Sequence, residues 1–277
     1  MDFEIHYTPA QQAFRAEVRA WLEAHLRGGV NVPPDGRPLD QDTQLRLKVF
    51  RKELGAKGWL APNWPMDAGG AGLGPALAVV IEEEIRRLQL PSLGGNTRWI
   101  PALMVWGNDD QKRRYVRPAV QGETITWLCF NEPQSGADLA GAKTQATPDG
   151  RDYLINGIKA FITGRFDPDY LWTLAVTDSS RPRYLNLGVF MIDAHSPGIT
   201  IRTQHLLVGS ERFVYFDNVR VPSDCLVGTP YLGWEIAQAV VGTERGDMEL
   251  QVNERGTVQS IVQYLKEERE RQEPGQP

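Results

Sequence analysis

The sequence predicts an α+β protein with a helical N-terminal domain, a middle domain built as an antiparallel β-sandwich or barrel, and a return to helix near the end. This prediction depends on a change in the spacing of apolar residues. Up to about residue 120 they recur every three or four positions, as on one face of a helix. From about residue 121 they fall in short runs rich in Ile, Val, Tyr, Phe, Trp and Thr. We therefore expect domains at 1–120 and 121–228 and a helical segment at 229–277.

The first helix has clear start and stop signals. Thr8 is a suitable N-cap, and Pro9 suits the first helical position. Gly28 and Gly29 should end the helix. The segment lacks the basic and apolar regions of a targeting signal, so we interpret it as part of the fold. Its apolar stripe consists of Phe14, Val18, Trp21, Leu22 and Leu26.

Further elements follow from the same two patterns. Helical spacing recurs in "DTQLRLKVFRKELGAKG", "GPALAVVIEEEIRRLQL" and "DDQKRRYVRPAV", and later in "GWEIAQAVVGTER". The β-runs are "TITWLCF", "DYLINGIKAFIT", "YLWTLAVT", "LGVFMIDA", "GITIRT" and "RFVYFDNVRV". The turn signals are Pro148-Asp149-Gly150, Asn156-Gly157 and Pro197-Gly198. Because no helix interrupts these closely spaced strands, antiparallel pairing is favoured over a βαβ sheet.

Composition narrows the class of protein. Of the 277 residues, 41% are hydrophobic and 23% are charged, which is ordinary for a globular protein. The net charge of -5 indicates no basic surface for nucleic acid, and no apolar run is long enough to span a bilayer. Cys129 and Cys225 lie far apart and have no Cys or His at ligand spacing. We therefore predict no disulfide, no metal site and a reducing, cytoplasmic location.

Two glycine-rich stretches approach phosphate-binding motifs without matching them. In "GADLAGAKT", residues 136–144, an extra alanine moves the lysine out of the P-loop register, and "TQATPDG" then predicts a turn instead of a helix. "GGAGLG", residues 69–74, is out of register with the dinucleotide motif and does not follow a strand. We interpret the second stretch as a flexible loop before a helix and predict neither kind of phosphate site.

One long stretch resembles a known signature. "FNEPQSGADLAGAKTQATPDGRDYLINGIKAFITG" is similar to the signature of the flavin-dependent acyl-CoA dehydrogenases. "KGWLAPNWPMDAGGAGLG", "GNDDQKRRYVRPAVQGE" and "RFVYFDNVRVPSDCLVG" resemble other parts of that family, in its order and spacing. The resemblance covers about residues 10–246. It implies a helical N-terminal domain, a middle β-domain and the start of a C-terminal four-helix bundle that mediates tetramer formation, with most of that bundle absent from this chain.

The resemblance also implies an FAD site on two neighbouring β-segments. The loop containing Glu132 and Pro133 would lie against the flavin ring, where small residues let backbone N–H groups approach it. Phe161 would pack against the ring, and the Thr163 hydroxyl would hydrogen-bond N5. Without the resemblance, Phe161 and Ile162 read as core residues of a β-hairpin. The implied cofactor-binding positions are Cys129, Asn131, Gly136, Ala137, Phe161, Ile162 and Thr163.

Three of these positions depart from the residues usual in the family. Asn131 replaces a threonine, Ala137 replaces a serine and Phe161 replaces a tryptophan. Asn131 can still donate a hydrogen bond, whereas Ala137 offers only its backbone N–H. Phe161 keeps a stacking face and loses an indole N–H. We still expect FAD to bind.

The chemistry implied is α,β-dehydrogenation of an acyl-CoA thioester, in which a base removes the α-proton and a hydride passes from the β-carbon to flavin N5. Glu244 lies four and eight residues after Val240 and Ile236, on the apolar face of a helix, where a carboxylate is poorly solvated. The resemblance makes Glu244 the candidate base and Arg245 the residue that orients the helix and the active site. An equally open alternative is a structural Glu244, with the base taken from a later part of the bundle.

Two functions remain open at this point. The first is an acyl-CoA dehydrogenase that uses an electron-transferring flavoprotein as acceptor and forms a homo- or hetero-oligomer. The second is a catalytically silent or partial subunit that completes a heteromeric acyl-CoA dehydrogenase with a partner chain. The sequence does not specify which acyl-CoA is the substrate.

Overall fold

The computed structural model describes residues 6–26, 30, 39–88, 90, 93, 97–164, 166–206 and 210–251, with side chains up to residue 243. Within this part of the chain, helices come first, a run of strands follows and a long helix comes last. The helices are α1 (Pro9–His25), α2 (Gln41–Ala56), α3 (Pro75–Arg87), α4 (Ile100–Trp106), α5 (Asp109–Gln111), α6 (Arg117–Val120) and α7 (Gly233–Gln251). The fold class expected from the sequence is confirmed.

Helix α1 begins as predicted. The Gln11 N–H donates to the Thr8 hydroxyl at 3.2 Å, and the Thr8 N–H donates to Gln11 Oε1 at 3.0 Å, which forms a capping box. Pro9 follows the cap. In the predicted stripe, Val18 and Leu22 are fully buried against apolar side chains of α2 and α3. Gly28 and Gly29, expected to end the helix, lie outside the described residues.

The segment predicted as one helix at 109–120 contains a wider turn. Between α5 and α6, Lys112–Val116 adopts a π-helical conformation. Pro118 lacks an N–H and cannot continue a regular α-helical ladder, which gives a local reason for the irregular turn before it. Hydrophobic spacing alone does not distinguish the two helix types over so few residues.

The strands form one mixed sheet in the described part of the chain, in the order β6-β7-β3-β2-β4-β5-β8, with β1 paired to β4. Most pairs are antiparallel, as expected, but β1 and β2 both run parallel to β4. Such long-range pairing leaves no local sequence signal. The strands are β1 (Thr126–Cys129), β2 (Gln145–Asp149), β3 (Asp152–Ile162), β4 (Tyr170–Val176), β5 (Leu187–Asp193), β6 (Ile199–His205), β7 (Ser210–Pro222) and β8 (Leu226–Val227).

The centre of the sheet is buried on both faces. Along β4, Leu171 and Ala175 pack into one apolar cluster, while Trp172 and Leu174 pack into another with residues of α4 and α7. Alternate residues of a strand point to opposite faces, so this division follows from the pleat. A sheet covered on both sides reads as a continuous apolar run, which is the pattern of "YLWTLAV".

Two strand details differ from the sequence prediction. Asn156-Gly157 is not a turn, because both residues lie within β3. Gly157 is required there by a close approach: a Cβ would lie 2.5 Å from Thr144 Oγ1 of the neighbouring chain segment. Strand β2 was not predicted, since its sequence "QATPD" is polar and its stability comes from pairing with β3.

Two buried polar side chains tie the helices to the sheet region. Arg51 of α2 donates to the Gly122 carbonyl at 2.7 Å and to the Thr124 carbonyl at 3.0 Å. Gln111 completes the capping box of α5 with the N-cap residue Asn108 and also donates from Nε2 to the carbonyls of Asp224 and Leu226, at 2.7 and 2.8 Å. The entry into β1 and the β7–β8 connection are therefore both anchored to the helical part of the chain.

For the residues that the structure describes, no helix combines the length and apolar character needed to cross a bilayer. The same residues contain no group of three or more His, Cys, Asp or Glu side chains placed to hold a metal ion.

Candidate functional site

The loop that follows β1 is held by its own hydrogen bonds. The Glu132 N–H donates to the Ser135 carbonyl at 2.7 Å, and the Ser135 N–H returns a bond to the Glu132 carbonyl at 3.0 Å. The Ser135 hydroxyl donates to the Asp138 carbonyl. A short 3-10 turn at Leu139–Gly141 then leads toward β2. This loop is therefore compact in spite of its few bulky side chains.

The Glu132 side chain is buried at the base of the loop. Its Oε1 accepts hydrogen bonds from Lys159 Nζ at 2.7 Å and from the Thr144 N–H at 3.0 Å. Its Oε2 accepts from the Lys143 N–H at 2.6 Å and from Gln134 Nε2 at 2.7 Å. One carboxylate thus joins the start of the loop, its far end and β3.

The end of β3 lies beside this loop. The Ala160 N–H donates to the Asn131 carbonyl at 2.9 Å, which brings Asn131 next to Phe161. The β3–β7 register passes from Lys159↔Val214 to Ile162↔Arg212, so β3 carries one extra residue there. This irregularity is a β-bulge, a feature that re-aims a side chain.

Phe161 has an unusual conformation at the bulge. Its φ is 58°, in the left-handed region that costs a non-glycine residue about 1–2 kcal/mol. The ring is 46% exposed and contacts Phe213 edge-on, with ring centroids 5.9 Å apart. A large aromatic side chain held in a strained backbone and left open to solvent indicates a binding surface more than a packing role.

The residues after Phe161 are arranged by a close packing contact. Thr163, two residues after Phe161, is exposed. The Gly164 backbone lies against the indole of Trp127, and a Cβ at Gly164 would be 2.6 Å from Trp127 Nε1. Only glycine permits this approach, which fixes the direction in which the chain leaves β3.

The structure places the other predicted cofactor residues as follows. Gly136 is half-buried and Ala137 is exposed; a Cβ built on Gly136 meets no atom within 4 Å, so the space beside it is open. Ile162 is buried in the core of the sheet. Cys129 is fully enclosed, and burial raises the pKa of its thiol to about 12, so this residue presents no exposed surface to a ligand.

The proposed base lies on a different element. Ile236 and Val240 of α7 are fully buried, as the apolar face predicted for that helix requires. Positions 244 and 245 belong to α7, and residue 244 comes one turn after Val240 on the same face. The side chains of Glu244 and Arg245 lie outside the described residues.

The described residues fit a flat aromatic cofactor. An exposed phenyl ring, an exposed threonine and an open loop backbone of small residues lie on adjoining segments. Sequence reasoning missed the buried partners behind them, Glu132 and Lys159. Both lie within the stretch that carries the resemblance, but nothing in the sequence signalled that they form a pair.

Comparison with known proteins identifies the domains. The sequence model described as "Acyl-CoA dehydrogenase, N-terminal domain" matches residues 8–123. The model described as "Acyl-CoA dehydrogenase, middle domain" matches residues 128–219. The two matches together cover most of the described chain, and the short gap between them includes the start of β1.

Individual relatives carry the same family name. The chain is 32% identical over 247 residues to acyl-CoA dehydrogenase IpdE1 of Mycobacterium tuberculosis, covering 85% of this chain and 63% of the relative. It is 29% identical over 245 residues to acyl-CoA dehydrogenase FadE29 of the same organism, covering 87% of this chain and 62% of the relative. The chain therefore spans somewhat less than two thirds of the length of these relatives.

A solved structure shows the same fold. The protein described as "Tcur3481-Tcur3483 steroid ACAD" superposes with a TM-score of 0.72 at 27% identity, covering 88% of this chain and 63% of the other. The order of helices and strands, the match to both domain models and these relatives agree. The chain belongs to the acyl-CoA dehydrogenase family.

Proposed function

We propose that the chain forms the N-terminal and middle domains of an FAD-dependent acyl-CoA dehydrogenase, which introduces a double bond between the α- and β-carbons of an acyl-CoA thioester. Family membership supports the reaction type. The observation that carries the proposal is Phe161, because an exposed aromatic side chain on a strained bulge, in edge contact with Phe213, gains little packing to offset its backbone cost.

Five positions would hold the flavin. Phe161 would offer its ring face, and the Thr163 hydroxyl would donate to the ring edge. The loop after β1 would supply N–H donors from Gly136 and Ala137 and the Asn131 amide. When bound, FAD would supply the acceptor for the hydride that leaves the substrate β-carbon. Donors fixed in advance around a ring that gains negative charge stabilise that charge without reorganisation.

Removal of the substrate α-proton would be carried out by a side chain of the protein. We propose Glu244 as the base that removes the α-proton, since its position extends the buried Ile236–Val240 face of α7. Arg245 would orient that part of the helix. In the alternative, a carboxylate from a later part of the C-terminal bundle is the base, and the Glu244→Gln variant described next distinguishes the two.

The experiment uses the natural full-length protein together with any chain that co-purifies with it. A flavin absorption band that is bleached anaerobically by an acyl-CoA supports the proposal. Glu244→Gln should abolish bleaching and leave the flavin band unchanged. Unchanged bleaching in Glu244→Gln would show that the base is another residue, and a folded protein with no affinity for FAD would overturn the proposal.

The same preparation tests the partner. We propose an electron-transferring flavoprotein as the acceptor and a cytoplasmic homo- or hetero-oligomer as the working form. The solved relative is named for two components, Tcur3481 and Tcur3483, which favours as the second candidate a chain that completes a heteromeric enzyme with a partner. A protein that is colourless alone and turns yellow only with a second chain would support that candidate.

A further inference from the structure

The ion pair between Glu132 and Lys159 is enclosed more completely than a surface pair. The two side chains are 1% and 0% exposed, and Lys159 Nζ lies 2.7 Å from Glu132 Oε1. Nζ also donates to the Phe130 carbonyl at 3.2 Å. Neither side chain contacts solvent, so their role concerns the groups around them.

The hydrogen bonds around the pair favour the charged forms. Both Glu132 oxygens accept from N–H donors, so the ionised carboxylate satisfies every donor that faces it. Burial opposes ionisation of Glu132, but Lys159 and the Thr144 N–H outweigh it and lower the pKa of the carboxyl. Burial lowers the pKa of the Lys159 ammonium, and the Glu132 carboxylate partly offsets that effect.

The pair holds both sides of the proposed flavin surface. Lys159 Nζ donates to the Phe130 carbonyl, and the N–H of the next β3 residue, Ala160, donates to the Asn131 carbonyl. Phe161 follows directly. On the other side, the carboxylate holds the N–H groups of Lys143 and Thr144, where the loop returns to the sheet. The loop and the bulge are therefore fixed relative to each other through one buried contact.

Stability alone does not explain such a pair. Replacing a buried ion pair by well-packed hydrophobic residues of similar volume is often neutral or stabilising, whereas removing one partner leaves an uncompensated charge and is strongly destabilising. A directional pair does specify one arrangement of the groups it bonds. Lys159 lies two residues before the exposed Phe161 on β3, so the groups that this pair arranges are those next to the proposed flavin surface.

We propose that Glu132 and Lys159 are positioning residues, which set the loop after β1 and the Phe161 bulge in the geometry that binds flavin. This inference rests on the proposed function and adds to it a residue pair that touches no cofactor atom. Its consequence is that flavin affinity depends on the pair separately from folding stability.

The test compares three variants in the natural full-length protein with its co-purifying chains. Glu132→Gln and Lys159→Met each break the pair and leave one buried charge, so both lower the unfolding midpoint. The double variant Glu132→Gln with Lys159→Met removes both charges but keeps one acceptor oxygen for the loop N–H groups, so it should recover part of the midpoint lost in the single variants. A control is Glu84→Gln, which removes a buried carboxylate between helices α1 and α3, away from the sheet.

Three readouts separate positioning from stability. They are FAD affinity by titration of the apo-protein, the shape of the bound flavin absorption band, and amide exchange at Lys143, Thr144 and Ala160. All are measured at a temperature where circular dichroism matches wild type. The double variant should bind FAD about 10- to 100-fold more weakly, the range seen when supporting partners behind a site are removed. Its flavin band should shift, and the three amides should exchange faster.

Each outcome decides the question. A double variant with a partly recovered midpoint, weakened FAD affinity and an altered band supports the inference, provided that Glu84→Gln binds FAD as wild type does. Wild-type affinity and band shape in the double variant would overturn it, as would equal loss in Glu84→Gln or failure of the double variant to fold. If the wild-type protein itself binds no FAD, both the proposed function and this inference fail. If wild type binds FAD and the double variant binds it equally well, only this inference fails.

Discussion

Glu84 should contribute strongly to the stability of the helical domain. It is only 1% exposed, between α1 and α3, and it accepts from Arg15 at 3.2 Å, from Arg19 at 2.9 Å and from Arg87 at 2.9 Å. The hydrogen bond from Arg19 is the largest influence on its pKa; burial opposes it, and Arg87 adds to it. Together they lower the pKa of Glu84 from 4.5 to about 2.

The size of the effect follows from that pKa. At about 1.4 kcal/mol for each tenfold change, a pKa lowered from 4.5 to about 2 corresponds to roughly 3 kcal/mol of folding free energy. Arg19 and Arg87 are 46% and 41% exposed, so water screens part of the attraction. We therefore expect Glu84→Gln to lower the free energy of unfolding by about 2 kcal/mol at pH 7.

The pH dependence gives the sharper test. Because the folded-state pKa is lowered, the stabilisation is complete above about pH 4.5 and is lost as the pH falls toward 2. Urea unfolding at pH 7, 5, 4 and 3 should show the difference between wild type and Glu84→Gln shrinking with acid. Exposed Glu17 on α1 supplies the control Glu17→Gln, expected within about 0.5 kcal/mol of wild type. A difference that stays constant down to pH 3 would refute the reasoning.

Three further substitutions test the candidate site. Phe161→Gly should be more stable than Phe161→Ala by about 1 kcal/mol in urea unfolding, because φ at this position is 58°; equal stability would contradict the strained conformation. Gly136→Ala should leave the unfolding midpoint unchanged, since its Cβ meets no atom within 4 Å, but should weaken FAD binding in a fluorescence titration; undiminished affinity would exclude close approach of the ring. Gly164→Ala should cost about 1–3 kcal/mol in a thermal or urea melt, because its Cβ would lie 2.6 Å from Trp127 Nε1; a neutral result would mean that this contact relaxes freely.

The sequence was informative where local chemistry decides the outcome. Thr8 and Pro9 specify the start of α1 through a cap and a fixed φ, and both act within one helical turn. The apolar runs located β3, β4, β5, β6 and β7 because side-chain spacing and strand propensity agree there. Strand β2 was missed because its polar residues take their structure from pairing, and Asn156-Gly157 imitated a turn because both residues are common in turns.

The candidate site was located through resemblance, and its geometry required the fold. Phe161 was identified as a flavin contact, but nothing in "KAFIT" signals a left-handed residue or a bulge opposite β7. Glu132 and Lys159 lie 27 residues apart in sequence, and no spacing rule joins them. Their pairing depends on the turn at Glu132–Ser135 and on the register of β3, which are both tertiary outcomes.

The side-chain amide of Gln111 links the helical domain to the segment around Cys225. Its Oε1 accepts from the Asn108 N–H at a helix start, while its Nε2 bonds carbonyls on either side of Cys225. If this amide rotated away, the donor in one domain and the acceptors in the other would lose their hydrogen-bond partners together. Because one side chain serves both segments, loosening either of them would leave unpaired polar groups in the other.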